Sequence, residues 1–394
     1  MKRIFRFLLL SLLAVFALSV TIYGEGNDTE RPQLVMAWNF AIYAEPTFES
    51  PPLQVFGPQA IYVVEEHEDG NWVLIAIHNG NFWININQLR IPHTFSVFEE
   101  PDFMSRQIGR FFGQVVTIYE MYGLNWALIP TYNGIGWVNL IGDLQGLRAD
   151  LETVLRRHGN QISVFYENIE NGYSFIWNPY RLYYAASLTK APYALWIYQM
   201  ADAGRVNLAQ TFTYRQANYR RGSGAIRHMP FGTILTKEDL LRYNITHSCN
   251  VAFQMLWNIY GPDGFRNFIR DSGGRTQNVA RHMMMSLNDV IGYTRWMHEF
   301  IESGSENGQR LRDDLINSVV SFVRLEGGHQ TASKYGLWAG AMHDMAIVYS
   351  DSPYILIIMS EWGVAGDGVT PPPGTRVRFQ EIAALISQIN QLFE

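Results

Sequence analysis

The hydrophobic period of this chain changes once, near Gly142, and that change limits it to two architectures joined end to end. Before Gly142 the apolar residues alternate in short runs broken by Gly, Asn and Pro; after it, helical spacing mixes with strand-like runs. The first part also repeats itself between about Ala37 and Ile141. One copy carries Glu45-Pro46, Gly70-Asn71-Trp72-Val73-Leu74-Ile75 and Asn79-Gly80-Asn81-Phe82-Trp83-Ile84. The other carries Glu100-Pro101, Leu124-Asn125-Trp126-Ala127-Leu128-Ile129 and Asn133-Gly134-Ile135-Gly136-Trp137-Val138, both tryptophans recurring at an offset of 54. Short alternating strands with turn residues between them predict two small β-barrels, over 33–90 and 91–142.

At 394 residues the chain is too long for one ordinary domain, and with 47% hydrophobic residues it can bury large cores. A net charge of −6 without a basic stripe argues against a nucleic-acid partner. Met1-Lys2-Arg3-Ile4-Phe5-Arg6 is followed by an apolar run from Phe7 to about Tyr23, the pattern of a secretory signal over 1–24, with Gly24 as a small residue for cleavage. The run is borderline in length, so an uncleaved membrane anchor is the alternative. No cysteine lies near it, which argues against a lipoprotein anchor. The expected location is extracellular or cell-envelope associated. Cys249 is the only cysteine, so no internal disulfide is available. No Cys/His cluster has zinc-ligand spacing; neither metal nor cofactor is expected.

Beyond Gly142, Leu147, Leu151, Val154 and Leu155 predict a helix ending near His158-Gly159. Strands follow at Ile162–Glu167 and Tyr173–Trp177, then helical sequence from Ser187 to about Phe322. Three more strands come at about Gln330–Leu337, Met345–Tyr349 and Tyr354–Ser360, with a final helix from about Val377 to Phe393. Two strands, a helical insert, three strands and a terminal helix predict an α/β two-lobed domain over 147–394, with its cleft between sheet and helical lobe.

Lysine is rare here: 26 arginines accompany only Lys2, Lys190, Lys237 and Lys334. Arginine keeps its proton in a protein, whereas a buried lysine can lose one and act as a base. Lys190 closes Ser187-Leu188-Thr189-Lys190, three positions after a serine at a predicted helix start, so the two side chains share a face. A serine hydroxyl needs such a base to become a nucleophile. Pro192 sits early in that helix and fixes its first turn. Ser248-Cys249-Asn250 follows the helical stretch Lys237–Arg242; its serine could relay a proton and its amide hold a substrate carbonyl, or Ser248 could be a helix cap. Lys334-Tyr335-Gly336 lies on a strand, where a fixed cation would bind a carboxylate and glycine would let a substrate backbone approach. Lys237 reads as an ordinary surface residue.

In this order and layout, the three motifs resemble the penicillin-recognising serine enzymes, and within them the class A β-lactamase-like branch. The resemblance covers about 147–394 and takes in Tyr184-Ala185-Ala186-Ser187, Gly222-Ser223-Gly224, Thr236, Asp239, Leu240 and Leu241, and His343-Asp344. It implies Ser187 as acylated nucleophile, Lys190 as its base, Ser248 as proton shuttle, Asn250 as amide contact and Lys334 as carboxylate anchor. The N–H groups of Ser187 and Leu337 would form the oxyanion hole. The substrate implied is a β-lactam or a D-alanyl peptidoglycan-type amide. The β repeats resemble bacterial SH3-like wall-binding domains. Exposed tryptophans there would contact sugar or peptide; the alternative is that they fill the barrel cores and the repeats are spacers.

Three departures from the family pattern stand out. Its Glu-x-x-Leu-Asn loop between the second and third motifs loses its glutamate: Arg275–His282 leads directly to Met283-Met284-Met285-Ser286-Leu287-Asn288, so either the loop is absent and Ser286–Met297 reads as the next helix, or Leu287-Asn288 ends the loop and Met284 holds the glutamate position. Tyr335 stands where the family has Thr or Ser. Cys249 stands where it favours Asp, and reads as a buried thiol. The two functional expectations are a serine hydrolase that turns over its acyl-enzyme, or a wall-binding or β-lactam-sensing protein that stalls or never acylates. Elsewhere His247 and His343 are read as satisfying local hydrogen bonds, Met283-Met284-Met285 as core or an apolar wall, and Asp313-Asp314 as a solvated pair.

Overall fold

A computed structural model describes residues 33–36, 40–48, 51–57, 59–91, 94–123, 125–132, 134–271, 284–338, 340–362, 371 and 373–394. The leader segment 1–24 and residues 272–283, where the family's missing loop would fall, lie outside the described residues. The chain forms two compact units, 1–146 and 147–394.

The first unit holds small antiparallel sheets. Gln33–Met36, Gln59–Glu66, Trp72–Ile77 and Gly80–Asn85 form one, in that order. A second runs in the order Glu120–Tyr122, Trp126–Thr131, Gly134–Asn139, Phe95–Phe98, Gln107–Phe111. The repeat is carried into the register: Trp72 faces Asn85 and Leu74 faces Trp83, while Trp126 faces Asn139 and Leu128 faces Trp137. Gln88–Ile91 pairs with Gln114–Thr117, which ties the end of the first copy to the second. Trp72 and Trp126 are buried, wedged against Phe48 and Phe103 at 4.5 and 4.7 Å between ring centroids. They are core residues, so the expectation of exposed tryptophans fails for this pair. Trp83 and Trp137 keep partly open faces.

The second unit is a five-stranded antiparallel sheet with a helical lobe. The strand order is Ser174–Trp177, Ile162–Asn168, Tyr354–Ser360, Ala341–Tyr349, Gln330–Trp338. The strand Tyr354–Ser360 is central and buried throughout, which explains its unbroken apolar run. Ile355, Ile357, Met345 and Ala332 join one core with Tyr193, Leu240, Val251, Phe265 and Leu287 from the helices. Among the described residues the lobe consists of Lys190–Asp202, Lys237–Thr246, Asn250–Tyr260, Asp263–Asp271, Leu287–Glu302 and Glu306–Ile316. Its starts are capped by short polar side chains: Thr236 with Asp239, and Ser286 with Asp289, each form a capping box. The expected unbroken helical stretch is interrupted by two strand pairs, Thr211–Thr213 with Ile234–Thr236 and Leu182–Tyr184 with Met284–Ser286. Three-residue strands are too short to leave a period in the sequence.

Two surface assignments are overturned. Lys237 is only 4% exposed: its ammonium lies over the rings of Phe212 and Tyr260, 5.7 and 5.3 Å from their centroids, and bonds Gln210 Oε1 at 3.0 Å. Asp313 is exposed, but Asp314 is buried and accepts a 2.8 Å hydrogen bond from the Tyr198 hydroxyl. Adjacent helical positions point about 100° apart, so the doublet splits between water and core.

Candidate active site

Ser187 sits in a 3₁₀ turn, Ala186–Thr189, at the end of the strand Leu182–Tyr184. Ala186 holds a left-handed φ of +49°, a conformation that costs a non-glycine residue on the order of 1–3 kcal/mol. The sheet holds the turn in that state. His343 Nδ1 accepts from the Ser360 N–H at 3.1 Å, so its proton is on Nε2, which donates to Tyr184 O at 2.8 Å. Burial pushes His343 down to about 4 and keeps it neutral. Gly336 on the edge strand packs against the turn: a Cβ there would lie 2.7 Å from Ala185 O and 3.0 Å from Leu188 N. Glycine at 336 therefore seats the nucleophile turn against the strand that carries Leu337. The packing thus gives a reason for glycine besides the expected one, room for a substrate backbone.

Lys190 begins the helix one turn after Ser187 and is 3% exposed. Its ammonium donates to Ser248 O at 2.5 Å, Asn250 Oδ1 at 2.8 Å and Ser248 Oγ at 3.3 Å. Ser248 links two helices with φ +51° and is fully buried. Cys249 caps the second helix without a side-chain bond, so Ser248 is not its cap. The thiol of Cys249 is buried. The Gly222-Ser223-Gly224 loop presses on this link. Ser223 Oγ donates to Ser248 O at 2.7 Å, Asn250 Nδ2 donates to Arg221 O at 2.9 Å, and a Cβ at Gly224 would lie 2.4 Å from Cys249 Sγ.

Lys334 is fully buried on the edge strand. It donates to Ser248 Oγ at 3.0 Å and Tyr335 O at 2.7 Å, and its nitrogen is 4.3 Å from the centroid of the Tyr335 ring. Asp344, on the neighbouring strand, accepts from Ser321 Oγ and from the Phe322 and Val323 N–H groups. Burial lifts Asp344 to about 6.

Lys190, Ser248, Asn250, Lys334 and Tyr335 thus converge around two buried amines that share one hydroxyl, with Ser187 one turn before Lys190 and with Gly336 and Leu337 next along the strand from Tyr335. Burial lowers Lys190 to about 7. Burial, and then the Lys190 charge, lower Lys334 well below its ordinary value. An ammonium has three N–H groups, and Lys190 uses all three on Ser248 and Asn250. Losing one proton leaves a lone pair able to accept from a hydroxyl, with Ser187 one helical turn away. Sequence reasoning missed Ser223 as a brace of the Ser248 link and the Tyr335 ring as a partner of Lys334. Nothing in a linear sequence shows which way those side chains fold back.

A sheet backed by a helical lobe, with hydroxyls and buried amines gathered at its edge, is the arrangement of a class A β-lactamase-like serine hydrolase. The chain belongs to the beta-lactamase enzyme family, which matches residues 146–391. It is 27% identical over 124 residues to the extended-spectrum beta-lactamase PER-1 of Pseudomonas aeruginosa, covering 30% of this chain and 40% of that protein. It is 30% identical over 115 residues to an uncharacterized cell wall amidase of Bacillus anthracis, covering 28% of this chain and 21% of that protein. The chain thus spans less than half the length of either curated relative. The beta-lactamase of Sphaerobacter thermophilus shares the fold, with a TM-score of 0.55 and 22% identity, over 64% of this chain and 99% of that one.

Proposed function

We propose that this chain is an exported serine hydrolase that forms an acyl-enzyme on Ser187 with a β-lactam or a D-alanyl peptidoglycan-type amide and then hydrolyses it. The observation that carries the reading is the buried Lys190 amine, one turn from Ser187 and bonded to Ser248 and Asn250; burial lowers it to about 7. Neutral Lys190 takes the Ser187 proton as Oγ bonds to the acyl carbon. The amide C–N bond breaks, and Ser248, between the two amines, passes a proton to the departing nitrogen. The N–H groups of Ser187 and Leu337 would carry the oxyanion, each worth roughly 3–4 kcal/mol in other hydrolases. Water then cleaves the ester and restores Ser187.

A second reading, a β-lactam sensor or wall-binding protein that acylates and stalls, is favoured by one observation. The sequence of 272–283 contains no Asp or Glu, so that segment supplies no carboxylate base for a deacylating water. Intact-mass spectrometry after pulses of penicillin G and of its methyl ester separates the two. Return to native mass within minutes supports turnover, and a lasting adduct supports the stalled reading. No adduct on Ser187 with either compound overturns the acyl-enzyme. The Ser187→Ala variant should show none.

In this reading the N-terminal leader exports the chain and the SH3-like repeats dock it to the cell wall. Trp83 and Trp137 retain surface for a ligand, unlike Trp72 and Trp126. Co-sedimentation with purified peptidoglycan should fall when Trp83 and Trp137 are both changed to Ala. Unchanged sedimentation would leave the repeats as spacers.

A further inference from the structure

The cation that should greet a substrate carboxylate is already covered. Lys334 is 0% exposed, and each of its three N–H directions is taken. One meets Ser248 Oγ at 3.0 Å, one meets Tyr335 O at 2.7 Å, and the third side faces the Tyr335 ring, 4.3 Å away. The ring is fixed from two sides. Phe322 packs edge-on against it at 5.6 Å, and its hydroxyl lies toward the side chains of Ser248 and Ser223, which partly offset the rise in its pKa that burial imposes. Phe322 is itself anchored, by its N–H on Asp344 and by its ring on Phe379. Tyr335 is thus clamped among Lys334, Ser248, Ser223 and Phe322, residues of four separate segments.

We propose that the Tyr335 side chain is a built-in occupant of the anion subsite, so that the enzyme acylates on amides or esters whose leaving side carries no carboxylate. A small Thr or Ser at this position would leave the ammonium one free donor. The phenol fills that donor's place with a π-face, which attracts a cation and offers nothing to an anion. Displacing the ring would break its contacts to Ser223 and Phe322 as well, so a carboxylate gains less here than the Lys334 charge suggests. The proposal rests on the acyl-enzyme reading and changes the order of its substrates: β-lactams and D-alanyl termini with a free leaving-side carboxylate acylate Ser187 more slowly than their esters or amides.

Penicillin G and its methyl ester react at the same lactam carbonyl and differ only in the charge beside it. The rates at which each forms an adduct on Ser187 of the full-length protein, followed by intact mass, read the subsite directly. The wild type should take the ester at least as fast as the acid. The Tyr335→Thr variant should raise the acid-to-ester rate ratio by about tenfold, the scale of one additional hydrogen bond to the substrate. The Tyr335→Phe variant keeps the ring and should keep the wild-type ratio. Circular dichroism establishes that each variant is folded, and the conservative Phe variant guards against misfolding of the Thr one. A wild type that strongly prefers the acid overturns the proposal, as does an unchanged ratio in Tyr335→Thr. Adducts with an unchanged ratio sink this proposal alone. No adduct in any variant with either compound sinks it together with the acyl-enzyme reading.

Discussion

Lys190 and Lys334 flank one hydroxyl and look alike at first: both buried, both bonded to Ser248 Oγ, both lowered by burial. They differ in who holds them. The acceptors of Lys190 all come from Ser248 and Asn250, in the link across the cleft. Lys334 is held largely by its own neighbour, through the carbonyl and ring of Tyr335. Burial alone therefore does not assign a role. An amine whose partners can exchange when it loses a proton is suited to be a base, whereas one capped by a clamped ring is suited to fix a hydroxyl. Lys237 completes the pattern, buried against rings and bonded to Gln210. Surface ion pairs such as Arg242–Asp239 and Arg295–Glu167 use arginine.

The sharpest way to break this comparison is to delete each amine in turn. Lys190→Met should slow adduct formation by roughly 10²–10⁴-fold, the usual worth of a general base. Lys334→Met should cost clearly less, because its ammonium acts through Ser248 rather than on the substrate. Equal losses in the two variants would make the amines equivalent and end the distinction. The pH dependence gives a second cut. Only neutral Lys190 can take the Ser187 proton, so the wild-type adduct rate should rise with pH through about 7 and then level. A rate that is flat from pH 5 to 9 would place the base elsewhere.

Gly336 tests whether the sheet edge or the substrate sets the requirement for glycine. Gly336→Ala puts a methyl 2.7 Å from Ala185 O, in backbone that cannot rotate away. Overpacking of this kind costs about 1–3 kcal/mol, so a clear drop in melting temperature is expected with no ligand present. Full stability with impaired acylation would instead restore the substrate as the reason.

The sequence made the order of elements along the chain and all three motifs legible, because long periodic strands and fixed spacings survive in one dimension. The central strand Tyr354–Ser360 emerges with the bounds its apolar run predicts, and the terminal helix is offset by only a few residues, at Thr375–Gln391. The errors are all cases where a residue type was read without its depth. Lys237 looked solvated because lysine usually is. Its helix, Lys237–Thr246, buries that position beside Leu240 and Leu241. Tyr335 stands where the family has Thr or Ser, and the sequence does not show that its ring folds back over the Lys334 ammonium. Ser187 has a strained neighbour, Ala186, that no propensity would place at positive φ. Such strain persists only where tertiary contacts impose it, here His343 on Tyr184 and Gly336 against the turn.

Asp314 offers the mildest test, since it lies outside the cleft and separates buried-charge costs from catalytic ones. Burial raises it to about 7, although the Tyr198 hydroxyl and Arg242 favour its charge; Glu238 and Asp313 add to the rise. A carboxyl whose folded pKa exceeds its unfolded value near 3.8 binds more protons when folded, so its contribution to stability falls as pH rises from about 4 to 7 and is constant above. Asp344, raised to about 6, acts in the same direction. His343, lowered from 6.5 to about 4, acts oppositely, adding stability as pH rises across that interval. The wild-type curve is their sum, so the informative quantity is a difference. Asp314→Asn keeps an acceptor for Tyr198 and removes one titration. Its stability relative to wild type, from urea unfolding, should be near zero at pH 4 and should grow to on the order of 2 kcal/mol by pH 8. A difference that does not change with pH would show that Asp314 is not buried as a charge, and the contrast between the solvated Asp313 and its neighbour would collapse.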